Sequence, residues 1–243
     1  MRHIERLFRP SRDQFFREFV RENKPVILAG MMTEWPAMNL WRRDYLKEVF
    51  GGADIEVMGG RDGDMRYEPN CEQHRRMMPA AMYIDLAFDG AGNDAYMVAN
   101  NKVMATTAGR TLVGDVVQWP DFLNTLHPCH AGGNIFLWFG PKGTVTPLHH
   151  DTLDIMLCQV IGAKRVAMIS PDQKPYLYNT VGVFSDVDYE APDFANYPMF
   201  AAVEAVEFTL MAGDVLFIPV NWWHHVRSLS VSISVSFTNL LKL

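Results

Sequence analysis

Val231-Ser232-Ile233-Ser234-Val235-Ser236-Phe237-Thr238 alternates strictly between apolar and hydroxyl residues, the period-two signature of a β-strand. Val231, Ile233, Val235 and Phe237 share one face, while Ser232, Ser234, Ser236 and Thr238 share the other. In an open sheet such a hydroxyl face is solvated, whereas in a barrel it can line a polar pocket. Working outward, Gly213-Asp214 is a turn signal before Val215-Leu216-Phe217-Ile218, an apolar strand stopped by Pro219. Asn134 to Phe139 (NIFLWF) and Asp154 to Ile161 (DIMLCQVI) read as further apolar strands. Gly162-Ala163 then makes a tight turn into Lys164 to Ser170 (KRVAMIS), which predicts a hairpin closed by Pro171. Strands separated by Gly and Pro turns therefore dominate from about residue 134 to 239, and a β-sandwich or barrel core is expected there.

The first half is mixed. Ser11 caps a helix running through Val20, with Phe15, Phe16 and Phe19 spaced to pack on one side. Lys24 to Gly30 reads as a strand ending in a turn, and Trp35-Pro36 breaks the chain before a helix near Trp41 to Phe50 that Gly51-Gly52 ends. Ile55 to Met58 is a short strand, Gly59 to Asp64 a turn, Met78 to Phe88 a helix and Ala95 to Val98 another strand. With no repeat, low-complexity tract or linker, one domain over 1–243 is expected, in which 1–133 wraps a core at 134–239. The long connection from Pro171 to Ala202 carries Tyr176, Tyr178, Tyr189, Phe194 and Tyr197. It reads equally as an ordered cover over a site mouth or as a packed surface crossover.

Composition bounds the function. At 243 residues, 49% hydrophobic and 21% charged, the chain can bury a sizeable core. No apolar run approaches the roughly 18 to 20 residues that span a bilayer, and MRHIERLFRPSRDQF lacks the apolar centre of a secretion signal, so cytoplasmic residence is expected. Cys71, Cys129 and Cys158 are too few and too far apart for a disulfide framework or a metal knuckle. His127-Pro128-Cys129-His130 reads as a Pro-containing loop with incidental polar residues. A net charge of −6 argues against broad binding to nucleic acid or anionic membranes.

The chemistry concentrates at His149-His150-Asp151 and Trp223-His224-His225. On a strand His149 and Asp151, at i and i+2, point the same way and can grip one metal ion together. A His from a distant strand would complete a two-His, one-carboxylate facial triad, the arrangement of non-haem Fe(II) oxygenases. Spacing alone does not choose between His224 and His225.

Taken together, Gly143-Thr144-Val145-Thr146-Pro147-Leu148-His149-His150-Asp151, Gln159 to Arg165 (QVIGAKR), Gly213 to Pro219 (GDVLFIP) and Trp222-Trp223-His224-His225-Val226 resemble the cupin-like JmjC hydroxylases. Pro25 to Leu28, Trp35-Pro36, Asp188-Tyr189 and Tyr197-Pro198 extend the resemblance over nearly the whole chain. It implies a mostly β fold with flanking helices, the double-stranded β-helix or jelly roll, with Fe(II), 2-oxoglutarate as co-substrate and O₂. Carried onto this sequence it implies His149, Asp151 and His224 as metal ligands, with His150 and His225 turned away. It further implies Lys164, Thr146 and Tyr96 as co-substrate anchors. An inward Lys164 would be costly without an anion, and a bound dicarboxylate would explain it.

One departure stands out: Ile155 occupies a position where related asparagine and arginine hydroxylases carry Asn, and it cannot donate a hydrogen bond. The expected function is hydroxylation of a C–H bond, foremost on a protein or peptide side chain, with release of succinate and CO₂. Action on a small molecule or a tRNA base stays open, although nucleic acid fits the acidic balance poorly, and lysine demethylation fits the small layout less well. A metal-binding cupin without turnover also stays open, supported by Ile155 and opposed by Lys164. A Zn or Mn cupin for isomerisation or hydrolysis would want further His or Glu ligands, which Thr152 and Leu153 do not supply. The sequence leaves the oligomeric state undetermined.

Overall fold

The alternation in the sequence is realised as two sheets that share an interior. The computed structural model describes residues 3–98, 101–116, 119, 121–123 and 135–240. Among them are strands β1 (Glu5–Phe8), β2 (Val26–Ala29), β3 (Asp54–Met58), β4 (Arg75–Pro79), β5 (Ile135–Gly140), β6 (Val145–His150), β7 (Ile155–Ile161), β8 (Ala163–Ile169), β9 (Val206–Met211), β10 (Asp214–Ile218), β11 (Trp223–Ser228) and β12 (Ser232–Phe237). A six-stranded sheet has the order β1-β2-β10-β7-β12-β5 and a four-stranded sheet the order β6-β11-β8-β9, while β3 and β4 pair separately. Among the described strands only β1 and β2 pair in parallel. This is a jelly-roll architecture, mostly β with flanking helices.

Each strand of the large sheet sends alternate residues to opposite destinations. Ile233, Val235 and Phe237 of β12, Met156, Cys158 and Val160 of β7, and Val215 and Phe217 of β10 turn outward against Phe15, Phe16, Phe19, Trp35, Trp41 and Tyr83 from the N-terminal segments. Ile27, Leu157, Leu216 and Ile218 turn inward to meet Val166, Met168, Leu210 and Val226 of the small sheet. Burying such faces, at about 25 cal/mol per Å² of apolar surface, is what holds the layers together. Ser232, Ser234 and Ser236 therefore face the interior and are buried. Ser234 donates to Gln159 Oε1 at 2.7 Å, Gln159 Nε2 donates to Ser232 at 3.0 Å, and Trp138 Nε1 donates to Ser236 at 2.9 Å.

The expected hairpin at Gly162-Ala163 is corrected. β7 pairs with β10 and β12 in the large sheet, whereas β8 pairs with β11 and β9 in the small one, so Gly162 is a corner at which the chain changes sheet. Its φ is +76°, and a Cβ there would lie 2.0 Å from the Val231 carbonyl oxygen, so this corner requires glycine. A hairpin and a sheet-crossing corner have the same local signature, and only the pairing partners tell them apart.

At the N-terminus Ser11 Oγ accepts from Gln14 N at 3.2 Å and starts the helix Arg12–Phe15, which continues as a π turn over Phe16–Val20. Later helices include Arg43–Phe50, which follows a short Ala37–Leu40 turn of helix, and Ala80–Asp89. The Ala95 to Val98 segment forms only single bridges, Tyr96 to Met58 and Met97 to Phe139. The strands β1, β4 and β9 go beyond what the pattern predicts, because they are short and flanked by polar residues. The segment His127 to His130, with Cys129, lies outside the described residues.

The connection from Pro171 to Ala202 is a packed crossover and a cover at once. Leu177, Val187 and Phe200 pack with Leu148, Ile169 and Trp223 on the outer face of the small sheet. Further along, His150 N donates to Val183 O at 3.0 Å and Ser185 N donates to Leu148 O at 2.9 Å, so the segment lies along the free edge of β6. That edge also holds Pro147, a residue a central strand would not tolerate.

Candidate active site

Strand alternation puts His149 on the inner side of β6, Asp151 follows one residue beyond the end of that strand, and pairing puts His224 opposite His149 in the register of β11. One ligand atom from each of His149, Asp151 and His224 lies within 4.8 Å of the others. Both imidazoles use Nδ1 on their own strand: His149 Nδ1 donates to Pro147 O at 2.8 Å, and His224 Nδ1 donates to Trp222 O at 3.0 Å. These bonds fix the tautomer and turn each unprotonated Nε2 into the site, the orientation a metal ligand needs. Asp151 Oδ2 stands 3.5 Å from His224 Nε2. Burial, and then the neighbouring His224, pushes His149 down to about 4, and burial lowers His224 as well, so both rings are neutral donors at ordinary pH. Two neutral imidazoles and one carboxylate suit a divalent first-row metal, and the residues present fit iron(II).

The second members of the two His pairs point the other way. The His150 ring packs on Trp223 at 4.7 Å between centroids, and His225 stacks on Tyr189 at 5.0 Å.

The triad opens on a cavity of about 290 Å³, whose lining includes Thr146, Lys164, Trp138, Ile155, Ser236 and Thr238. The Lys164 side chain is buried, with Nζ 6.0 Å from the centre of the Trp138 ring, and desolvation pulls it down to about 7. Thr146 shares the cavity with His149 although the two are three residues apart. Strict alternation would put them on opposite faces. The register of β6 against β11 slips between His224 and Val226, and this bulge restores Thr146 to the inner side.

Tyr96 does not line the cavity. It stands behind Thr146, to which it is hydrogen-bonded, and burial raises its hydroxyl pKa. Ile155 does face the cavity, while Asp154 accepts from Val220 N at 2.9 Å in the loop before β11.

Several lining residues escape the sequence reading. Phe184 stacks on His149 at 5.6 Å, and Val183, Val98, Phe136 and Glu68 complete the walls. For Ser236 and Thr238 the signal was the hydroxyl face itself. No local pattern points to Glu68, which enters from the loop before β4.

The profile of the cupin-like domain matches residues 12–237. The chain belongs to the cupin-like JmjC family. Members of this family use Fe(II) and 2-oxoglutarate, and the His149, Asp151 and His224 cluster is compatible with that use. The cupin-like JmjC chain is 33% identical to lysine-specific demethylase 8 of Xenopus tropicalis, over 96% of this chain and 52% of that protein. It is 27% identical to the bifunctional peptidase and (3S)-lysyl hydroxylase JMJD7 of Homo sapiens, over 94% of this chain and 81% of that protein. It is 28% identical to tRNA wybutosine-synthesizing protein 5 of Gallus gallus, over 93% and 73% respectively. The chain spans about half the length of the demethylase relative. Among the described residues no helix is long and apolar enough to cross a membrane.

Proposed function

We propose that this chain is an Fe(II)- and 2-oxoglutarate-dependent oxygenase that hydroxylates a C–H bond of a protein side chain, releasing succinate and CO₂. The observation that carries the reading is the pairing, in one cavity, of a three-donor metal cluster with a buried lysine. In this reading His149, Asp151 and His224 hold the metal, which with 2-oxoglutarate and O₂ supplies the oxidation. Lys164 donates to the far carboxylate of the co-substrate, an anion that offsets the cost of burying its ammonium group. Thr146 adds a hydroxyl beside it, and Tyr96 holds Thr146 from behind. The apolar walls made by Ile155, Leu157, Ile218 and Val226 exclude water and strengthen each of these contacts. In the same reading residues 1–243 form one domain, a proposal supported by the N-terminal helices supplying the outer core of the large sheet.

A protein substrate is favoured over tRNA by the net charge of −6, which opposes approach of a polyanion. Reconstitution with Fe(II) and 2-oxoglutarate under nitrogen, followed by oxygen, tests the reading: succinate should form in the wild type and not in His149→Ala. Equal succinate from both proteins, or no binding of 2-oxoglutarate, would reject the oxygenase in favour of a cupin that binds without turnover.

A further inference from the structure

A fully buried arginine grips the strand that carries Thr146. Arg61 opens the 3₁₀ turn Arg61–Gly63 just after β3, and none of its side chain reaches the surface. Its Nη2 donates to Val145 O at 2.8 Å and to Glu68 Oε1 at 2.9 Å, while its guanidinium lies 4.2 Å from the Tyr67 ring centre and 5.1 Å from that of Tyr96. Its Nε and Nη1 are buried and find no hydrogen-bond partner among the described residues. Burying a cation whose donors are only partly matched costs stability, so the place of Arg61 is explained by what it holds.

What it holds is the start of β6. Val145 is the first residue of that strand and immediately precedes Thr146. Side chains take both of its backbone groups: Val145 N donates to Asn93 Oδ1 at 2.8 Å, and its carbonyl accepts from Arg61. The register slip of β11 against β6 falls between the partners of His149 and Thr146, so regular pairing does not by itself fix the direction of Thr146. Tyr96, the hydrogen-bond partner of Thr146, lies against the guanidinium. Arg61 N also donates to Asp94 O at 3.4 Å, which ties the segment bearing Asn93 and Tyr96 to the same turn. Thr146 is therefore constrained by Arg61 twice, through its neighbour's carbonyl and through its partner's ring.

We infer that Arg61, which lies outside the cavity lining, is a positioning residue for the co-substrate: it sets the Thr146 hydroxyl to meet the far carboxylate of 2-oxoglutarate. The inference rests on the oxygenase reading and adds to it a residue that touches neither metal nor co-substrate. A hydroxyl donates well only with its oxygen about 2.5 to 3.0 Å from the acceptor, so a small rotation of Thr146 loses the bond. Lysine at this position would keep the charge but not the fixed planar fork.

The test is calorimetric binding to the full chain loaded with Fe(II) under nitrogen, with two probes. One is 2-oxoglutarate, and the other is 2-oxopentanoate, which keeps the 2-oxo acid head and has a methyl group in place of the far carboxylate. Arg61→Met should weaken 2-oxoglutarate about tenfold, the loss of one hydrogen bond to a charged group, and change 2-oxopentanoate by less than about twofold. Arg61→Lys should recover part of that loss. Thr146→Val should show the same selective loss, and the double variant Arg61→Met with Thr146→Val should bind no more weakly than Thr146→Val alone. Equal weakening of both probes, as a collapsed cavity would give, overturns the inference. So does a double variant whose loss is the product of the single losses, or Arg61→Met that binds 2-oxoglutarate like the wild type. Should the Arg61 variants not fold, Thr146→Val decides: a loss confined to 2-oxoglutarate supports the inference, and unchanged affinity leaves no contact for Arg61 to position. A wild type that binds no 2-oxoglutarate would fell the oxygenase reading, and this inference with it.

Discussion

The inner and outer faces of the four-stranded sheet treat the same residue types in opposite ways. In three places on this sheet the chain sets two basic side chains in succession: His149-His150, Lys164-Arg165 and His224-His225. The outward members meet partners from the protein itself. His150 packs on Trp223, His225 on Tyr189, and Arg165 pairs with Glu190, which also binds Arg227. The inward members are satisfied only in part, the Nδ1 of each imidazole bonding to its own strand. His149 and His224 keep Nε2 free, and Lys164 is buried with desolvation as the sole cause of its lowered pKa. Polar groups that a fold satisfies internally serve packing, while those it buries and leaves open serve a ligand.

The strongest way to break this contrast is to delete one member of each pair. His149→Ala or His224→Ala should lower succinate formation by on the order of a hundredfold or more, whereas His150→Ala and His225→Ala should retain turnover and lose about 1 to 2 kcal/mol of stability in denaturant melts. Comparable loss of turnover from the outward members would erase the distinction. Lys164→Met comes next. It should raise the half-saturating 2-oxoglutarate concentration by tenfold or more while raising the melting temperature of the ligand-free protein by roughly 5 °C, because it removes a buried charge that only the co-substrate satisfies. A variant that melts lower would mean that the protein, not a ligand, satisfies the ammonium.

A pH series sharpens the same point with a smaller effect. With Lys164 at about 7 in the ligand-free protein, co-substrate binding takes up a proton above that pH and none below it. The half-saturating concentration should therefore be flat below pH 7 and climb by up to about tenfold per unit above it. Lys164→Met should abolish the slope. Its stability advantage should be full below pH 7 and fade as the pH rises toward 10.5, because the wild-type cost persists only while the unfolded lysine is charged. Smallest is Ile155→Asn, which places a donor on the cavity wall. It should tighten 2-oxoglutarate binding a few-fold, about 1 kcal/mol, as read by calorimetry. No change would mean that the co-substrate lies out of reach of that position.

Much of the site was legible because period two is a local property. Alternation alone set His149 with Asp151, turned the valine, isoleucine and phenylalanine of β12 away from its serines, and marked the apolar strands. Resemblance then singled out His224 over His225, a choice that spacing left open. Three features stayed hidden. The bulge that returns Thr146 to the side of His149 depends on how β6 pairs with β11. Phe184 reaches the cavity from the Pro171 to Ala202 connection, whose composition reads equally as cover or crossover and does not mark this residue, and Glu68 from a loop whose composition carries no sign of it. The Gly162 corner reads like a hairpin because a tight turn looks the same whichever sheet its strands join.

By itself, then, the sequence determined that this chain builds a β core with His149 and Asp151 turned to one side, since side-chain direction along a strand repeats every two residues whatever the partner. Only the tertiary structure decided that the serine face is an interior wall, that Lys164 is buried, and that Glu68 lines the same cavity as the triad. Those outcomes rest on which strands lie side by side and on what they shut out, and contacts between residues far apart in the chain leave no periodic trace in it.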